Sequence, residues 1–245
     1  MQHKHIRAHT IKHSANSSLV IQAITAVIDL YVLTLNIPKP YFILKQLLWL
    51  EFIVQLVEGT FYVWLANSFN TIENITPYRY YDWYITTPTM LITLSIYLIY
   101  LKKQEETENK SHDKDGNVEN NIEKNDGLFI TIQKNAKTIL SIIVLNAIML
   151  TFGLLNENQI LNKYVAVFLG FIPFFMLFYI IYDNYAKYSK LGTTIFIYFS
   201  FIWSIYGIAA LMPYHWKNIF YNILDLFAKN FFGLYLAYIL WITTY

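Results

Sequence analysis

The chain has 245 residues, of which 56% are hydrophobic and 14% are charged, and its formal net charge is +2. Soluble domains carry about 25% charged and about 45–50% apolar residues, so this composition excludes an ordinary soluble fold and indicates a membrane protein. Cysteine is absent, which excludes thiol catalysis and cysteine-bound metals, and the small net charge predicts no nucleic-acid partner.

Seven mostly apolar stretches are long enough to cross a lipid bilayer, which takes about 20 residues per helix. They lie at roughly 17–37, 41–65, 78–101, 137–155, 160–182, 192–212 and 218–243. Prolines or polar residues separate them, and their apolar runs do not alternate as the strands of a closed barrel do. We therefore predict an all-α bundle of seven transmembrane helices that forms a single domain over residues 1–245.

Two polar segments fall outside these spans. Residues 1–13 are basic and rich in histidine, show no signal-peptide cleavage pattern, and are predicted to form an N-terminal tail. Residues 102–134 are rich in Lys, Glu, Asp and Asn, which predicts a polar loop too hydrophilic to fold alone. Most lysines fall in loops on the same side as this segment, so the positive-inside rule predicts a cytoplasmic loop and an extracellular tail.

The seventh predicted span contains a lysine at its middle. Lys229 is too far from either end of the span to reach water, and Asp225 precedes it by one helical turn on the same face. A lysine in lipid surroundings loses its proton, pairs with a carboxylate, or is covalently modified. This pair is therefore a candidate functional site, with a structural ion pair between two helices as the alternative.

Three spans carry residues that resemble one known family. Residues 79–88 read RYYDWYITTP, which resembles the third-helix motif of microbial rhodopsins. Asp225 and Lys229 are similar to the seventh-helix pair that carries retinal there, and Trp203 and Tyr206 match an aromatic pair of the sixth helix. The resemblance covers most of the chain and leaves out only the N-terminal tail and the segment 102–134.

The resemblance implies that all-trans retinal is bound covalently to Lys229 as a protonated Schiff base. It also implies that Asp82 and Asp225 are the counter-ions of this charge, that Arg79 is the outward partner of the two carboxylates, and that the Thr86 hydroxyl lies one turn above Asp82. No catalytic residue, metal site or enzymatic activity is expected.

The same resemblance implies an aromatic retinal pocket walled by Trp83, Trp203 and Tyr206. Gly207 and Ala210 stand where many members of the family have proline and tryptophan. These smaller residues predict a looser pocket around the ring end of the chromophore.

Polar residues also repeat at helical spacing along one face of spans 1, 2, 3 and 7. These helices are neighbours in the microbial rhodopsin fold, so the four faces would enclose one hydrophilic path, and acids in such a path favour cations. The alternative is that these side chains only hold the helices together by hydrogen bonds. The candidate residues of the ion path are Glu51 and Glu58 first, followed by Gln55, Ser18, Arg79, Asn222 and Thr93.

Three functions remain open at this stage. Proton-pumping members usually carry a second carboxylate eleven residues after the counter-ion, and here that position is Thr93, which cannot donate a proton at useful pH. This favours a light-gated channel for monovalent cations (Na⁺, K⁺ and H⁺) over an outward proton pump or a sensory photoreceptor. The pattern resembles the channelrhodopsins, and most of all the cation channels of algae-infecting giant viruses. That resemblance implies a virus-encoded protein that assembles as a homo-oligomer in a host membrane.

Overall fold

The computed structural model describes residues 2–68, 71–112 and 127–244, and helices account for most of them. A 3-10 turn, Lys39–Tyr41, precedes the second helix, and another, Ala186–Tyr188, follows the sixth. A π turn, Leu226–Asn230, joins the last two helices into one span. The helices are α1 (Gln2–Thr34), α2 (Phe42–Ser68), α3 (Thr76–His112), α4 (Leu128–Lys134), α5 (Ala136–Glu157), α6 (Lys163–Asn184), α7 (Lys190–Ala210), α8 (Tyr214–Asp225) and α9 (Phe231–Ile242).

Within the described residues, seven helical segments are long and apolar enough to cross a membrane. Each of them contains one of the predicted spans or overlaps most of it, so the predicted seven-helix bundle is confirmed. The seventh segment runs over Tyr214–Ile242 and combines α8, the π turn and α9.

The N-terminal residues differ from the expected tail, because α1 begins at Gln2 and continues without interruption into the first span. Ile11 and Ala15 are buried in a small apolar cluster with Tyr62 and Leu65 of α2. Apolar side chains at this spacing fall on one face of a helix, so burying them extends α1 beyond the predicted start of the span.

The segment 102–134 also differs from the expected loop. Residues 102–112 continue α3 as a helix, and residues 128–134 form α4. Lysine, glutamate and glutamine are good helix formers, so α3 can continue beyond its apolar span through these polar residues. Residues 113–126 lie outside the described part of the chain.

The interior of the bundle is polar in one half, and the outer surface of the bundle is apolar. Large side chains such as Phe168 and Phe175 of α6 and Phe201 of α7 point outward and are exposed. The buried polar and charged residues concentrate instead on α1, α2, α3 and the seventh span. This distribution fits a protein in a lipid solvent, where apolar surface faces outward and polar groups bond to one another inside.

Candidate functional site

Lys229 lies in the π turn of the seventh span, where it is 2% exposed. A π turn widens the helix by one residue and is often found at functional sites. The widened turn brings both Lys229 and the following residue, Asn230, to the interior of the bundle. Asn230 accepts a hydrogen bond of 2.9 Å from the Thr25 hydroxyl of α1.

Three carboxylates from three helices surround the amine of Lys229. Its Nζ donates a hydrogen bond of 2.6 Å to Asp82 Oδ2 of α3. The same nitrogen lies 3.5 Å from Glu58 Oε1 of α2 and 3.7 Å from Asp225 Oδ1 of α8. The structure thus brings together the lysine and the two carboxylates identified from the motifs, and it adds Glu58, which spacing alone had assigned to the ion path.

Asp225 is held by several donors at once. Tyr62 donates to its Oδ2 at 2.7 Å and Tyr206 donates to its Oδ1 at 2.8 Å. Arg79 Nη1 lies 3.5 Å from Oδ2, and both side chains of this ion pair are buried. Asp82, in contrast, has Lys229 as its hydrogen-bond donor, and its second oxygen has no partner among the described residues. The two carboxylates therefore have different surroundings, with Asp225 fixed and Asp82 free to change partners.

Arg79 is fully buried and bonds to the seventh span through amides as well as through Asp225. Its Nε donates to Asn218 Oδ1 at 3.1 Å, and its Nη2 donates to Asn222 Oδ1. Thr86 is also buried, but its hydroxyl donates to the backbone carbonyl of Asp82 at 3.0 Å rather than to a carboxylate.

A cavity with Lys229 in its lining lies between α3, α5, α6 and α7. The empty space between its lining atoms is about 880 Å³, including the part that opens to the exterior. Its walls are mostly apolar and include Trp83, Phe171, Trp203 and Tyr206. A side chain at Gly207 would come within 2.7 Å of the Phe171 ring, so this ring takes the space that the glycine leaves. The cavity is thus an aromatic slot with a primary amine in its lining.

One side of Lys229, which we call the Arg79 side, is closed by contacts between α1 and α8. Ser18 donates to the backbone carbonyl of Asn222 at 3.2 Å. The Asn222 amide in turn donates to the Ser14 hydroxyl at 2.8 Å. Two residues predicted for the ion path, Ser18 and Asn222, are therefore in direct contact across the bundle.

On the opposite side of Lys229, which we call the Thr93 side, α1, α2 and α3 converge against the seventh span. Gln55 donates to Asp29 Oδ2 at 2.6 Å. A side chain at Gly233 of α9 would come within 2.8 Å of that oxygen and within 3.6 Å of Glu51 Cβ, so this glycine lets the group approach. The Glu51 carboxyl lies beside the Thr93 hydroxyl, and neither of its oxygens has a hydrogen-bond partner among the described residues.

Sequence reasoning placed Asn218 on the polar face of span 7 without naming it as a candidate, and it missed Tyr62 and Asn230. Tyr62 extends the polar face of α2 by one further turn after Glu58, so the same spacing would have found it. Asn230 is off the face that a regular α-helix gives Asp225 and Lys229. Only the π turn brings it inward, and no pattern in the sequence indicates that turn.

The fold and the site together define a class: a seven-helix membrane protein with a buried lysine–carboxylate cluster beside an aromatic slot. Residues 13–243 match the profile of the bacteriorhodopsin-like protein family. The chain therefore belongs to this family, the microbial rhodopsins, which bind retinal on a lysine and respond to light. Members are generally ion transporters or sensors rather than enzymes.

Several solved structures are similar to this one in fold. The viral rhodopsin OLPVRII is 23% identical, with 94% of this chain and 97% of that chain covered and a TM-score of 0.72. The Exiguobacterium sibiricum rhodopsin is 14% identical, covers 98% of both chains and has a TM-score of 0.72. Xanthorhodopsin, titled a light-driven ion pump with dual chromophore, is 16% identical, with 97% and 95% covered and a TM-score of 0.68. No curated protein matches the chain.

The residues of the slot fit the chromophore of the family. The wall offers aromatic and apolar surface for a conjugated hydrocarbon, and Lys229 in the lining offers an amine for a covalent link. The carboxylates around this lysine supply the negative charge that a cationic nitrogen needs away from water.

Proposed function

We propose that this protein is a light-gated channel for monovalent cations, with all-trans retinal on Lys229 as a protonated Schiff base. The carrying observation is the set of buried polar contacts that α1, α2 and α3 make with the seventh span and with one another, on both sides of Lys229. Polar groups inside a membrane protein are costly unless they bond to one another or line a path for ions.

Retinal supplies light absorption and a change of shape at its link to the protein. The carboxylates of Asp82, Asp225 and Glu58 hold the positive charge at Lys229 Nζ, and Arg79 and two tyrosines fix Asp225 in place. A displacement of Nζ breaks its 2.6 Å bond to Asp82 and changes the charge balance among all three carboxylates. The walls of the slot, Trp83, Trp203 and Tyr206, direct that displacement because they are packed against other helices.

The proposed ion path is closed at three levels in this structure. On the Arg79 side, Ser18 and Asn222 meet between α1 and α8. At the centre, Glu58 and Asp82 contact Lys229. On the Thr93 side, Gln55 and Asp29 meet against Gly233. Opening requires these contacts to separate, and the acids that line the path then favour cations such as Na⁺, K⁺ and H⁺.

An outward proton pump is the second candidate function. The hydrogen bond between Lys229 and Asp82 favours it, because this carboxylate is placed to accept a proton from the amine nitrogen. A sensory photoreceptor is the third candidate, and no contact in the described residues favours it over the other two.

The position in the cell and the assembly belong to this proposal. We expect the N-terminus outside and the segment 102–134 in the cytoplasm, as the distribution of lysines predicts. The Arg79 side is then extracellular and the Thr93 side cytoplasmic. We also expect a homo-oligomer in a host membrane, encoded by a virus.

Photocurrent against voltage separates the three functions. Cells that express the protein with retinal are illuminated while the external cation is exchanged. A channel gives currents that reverse sign and follow the cation gradient, and these currents fall or change selectivity in Glu51→Gln and Glu58→Gln. The lipid-facing variant Tyr81→Phe is the matched control, since Tyr81 is 72% exposed. Outward currents that never reverse would identify a pump, and a coloured protein without current would leave the sensor.

A further inference from the structure

The carboxyl group of Glu51 has neither the hydrogen bond that Asp29 accepts from Gln55 nor the contact with Lys229 that Glu58 makes. Glu51 is 0% exposed, and neither oxygen is a hydrogen-bond acceptor for any described residue. Its neighbour Thr93 donates its hydroxyl hydrogen to the Thr89 carbonyl at 3.0 Å. The Thr93 hydroxyl oxygen is therefore available to Glu51 as an acceptor.

Such surroundings favour a neutral carboxylic acid over a carboxylate. An unpaired charge buried without donors costs several kcal/mol or more, whereas a protonated acid can donate its own hydrogen to Thr93. Asp29 is the nearest other acid, and its Oδ2 already accepts a hydrogen bond from Gln55. A negative charge on Asp29 repels a second one on Glu51, which again favours the neutral acid there.

The position of Glu51 matters because its carboxyl group lies beside Thr93. Thr93 follows Asp82 by eleven residues, which is where pumping members carry a proton donor on the third helix. In this protein a carboxyl group comes close to that position from α2 instead. Glu51 precedes Glu58 by seven residues, which is about 10 Å along a helix axis, and Glu58 is in contact with Lys229. Between these levels lie Gln55 and Asn230, each with a buried amide atom that has no partner.

We infer that Glu51 is the internal proton donor of this protein, supplied by α2 in place of α3. After light has moved a proton from Lys229 Nζ to a carboxylate, Glu51 releases its proton and Lys229 Nζ takes one up. Gln55 and Asn230 form polar steps along the route, which water completes when the helices separate. Glu51 is left as a carboxylate and regains a proton from the aqueous phase on the Thr93 side. The inference rests on the proposed retinal link at Lys229, and it holds for a channel and for a pump alike.

The test is the rate at which Lys229 Nζ regains its proton after a flash. In the purified protein with retinal, loss of that proton gives a form that absorbs in the near ultraviolet, and the decay of this form is followed in time. We expect Glu51→Gln to slow the decay by about tenfold or more. Its rate should also become proportional to the proton concentration, because the proton must then come from solution. Azide, which provides a small diffusible acid, should restore a fast decay.

Two further variants make the result specific. Tyr81→Phe changes a lipid-facing side chain that is 72% exposed and leaves the donor, so its decay should stay close to that of the wild type. Glu51→Asp keeps an acid that is one methylene shorter, so it should decay at an intermediate rate and serves if the glutamine variant does not assemble. An unchanged decay in Glu51→Gln, a decay slowed equally in Tyr81→Phe, or the absence of any near-ultraviolet form would overturn the inference.

An independent measurement does not require light or retinal. The infrared spectrum of the retinal-free protein should contain the carbonyl band of a protonated carboxylic acid that is missing in Glu51→Gln and shifted in Glu51→Asp. If the carbonyl band of protonated acids is the same in wild type and Glu51→Gln at neutral pH, Glu51 is a carboxylate and the inference is overturned. If the channel proposal fails, the photocurrents will show it, and the expected decay rates and infrared bands of the Glu51 variants will be unchanged.

Discussion

At the scale of single residues, the central feature is that the charge at Lys229 has three carboxylate neighbours rather than two. The distance from Nζ is 2.6 Å to Asp82 and 3.5 Å to Glu58. Since the interaction of two charges falls with the inverse of their distance, Glu58 contributes about three quarters of the attraction that Asp82 does in the same medium. Glu58 therefore belongs to the charged cluster around Lys229 as well as to the proposed ion path.

Glu58→Gln should consequently shift the absorption maximum to longer wavelength. Removing a negative charge beside the cationic nitrogen lets its positive charge spread along the conjugated chain, which lowers the excitation energy. Glu51→Gln is the matched control, because it removes an acid two turns away on the same helix and should leave the maximum nearly unchanged. Equal spectra for wild type and Glu58→Gln would place Glu58 in the ion path alone.

Asp82→Asn should have the largest spectral effect of the carboxylate variants. Asp82 accepts the only hydrogen bond that Lys229 Nζ makes to a described residue, so its loss removes the closest counter-charge. We expect a red shift, a larger near-ultraviolet fraction, or both, when spectra are recorded over a range of pH. An unchanged spectrum and an unchanged pH titration would contradict the counter-ion role of Asp82.

At the scale of helices, close approach on the Thr93 side depends on one glycine of α9. A methyl group at Gly233 would lie 2.8 Å from Asp29 Oδ2 and 2.9 Å from Gln55 Nε2, which is closer than real contacts allow. The hydrogen bond between these two side chains must shift to make room. Because Gly233 has no side chain, α1 and α2 can pack closely against the seventh span where the proposed path is closed.

Gly233→Ala should weaken this closure while the fold is retained. Overpacking at a buried contact costs about 1–3 kcal/mol, so the melting temperature should fall by a few degrees. Channel currents should close more slowly after light, or leak in the dark, as measured by whole-cell recording. Gly59→Ala is the matched control on α2, because a side chain there meets nothing within 4 Å. The proposed closure would be refuted if both variants kept wild-type closing kinetics.

A buried ion pair joins the end of α5 to the start of the seventh span. Lys217 Nζ lies 2.6 Å from Glu157 Oε1, with the two side chains 10% and 5% exposed. Removing one member leaves the other as an unpaired charge, which costs about 3–5 kcal/mol in a buried pair.

Lys217→Gln and Glu157→Gln should each lower the melting temperature, and the double variant should recover most of the loss because no unpaired charge remains. Thermal loss of the visible absorbance measures all three. Additive losses in the double variant would mean that the pair is not coupled.

At the scale of the whole molecule, the bundle is divided into a polar and an apolar half. The seventh span, α1, α2 and α3 contribute the buried charges, whereas α5, α6 and α7 contribute most of the aromatic slot and of the outward apolar surface. Lys229 and Tyr206 connect these halves, since both line the slot and contact the carboxylates. A change in the slot can therefore be passed to the polar half through these two side chains.

Lys229→Ala should remove the visible absorbance that appears when retinal is added to the protein, because no other amine is present among the residues that line the slot. The absorbance spectrum of the purified variant, compared with wild type, measures this. A visible band that survives in the variant would refute the covalent assignment. Lys217→Gln, which removes a buried lysine elsewhere in the same span, is the control and should remain coloured.

The sequence by itself determined the seven-helix membrane fold and the residues of the lysine–carboxylate pair. Apolar runs long enough to span a bilayer have few alternatives to helices, and the spacing of Asp225 and Lys229 follows from the helical repeat. Only the tertiary structure decided which helix faces meet. The position of Glu58 beside Lys229, of Glu51 beside Thr93, and of Asn230 on the interior depends on inter-helix contacts and on one π turn. Helical periodicity fixes the face on which a residue lies, whereas its neighbours across the bundle are set by packing between residues far apart in the chain.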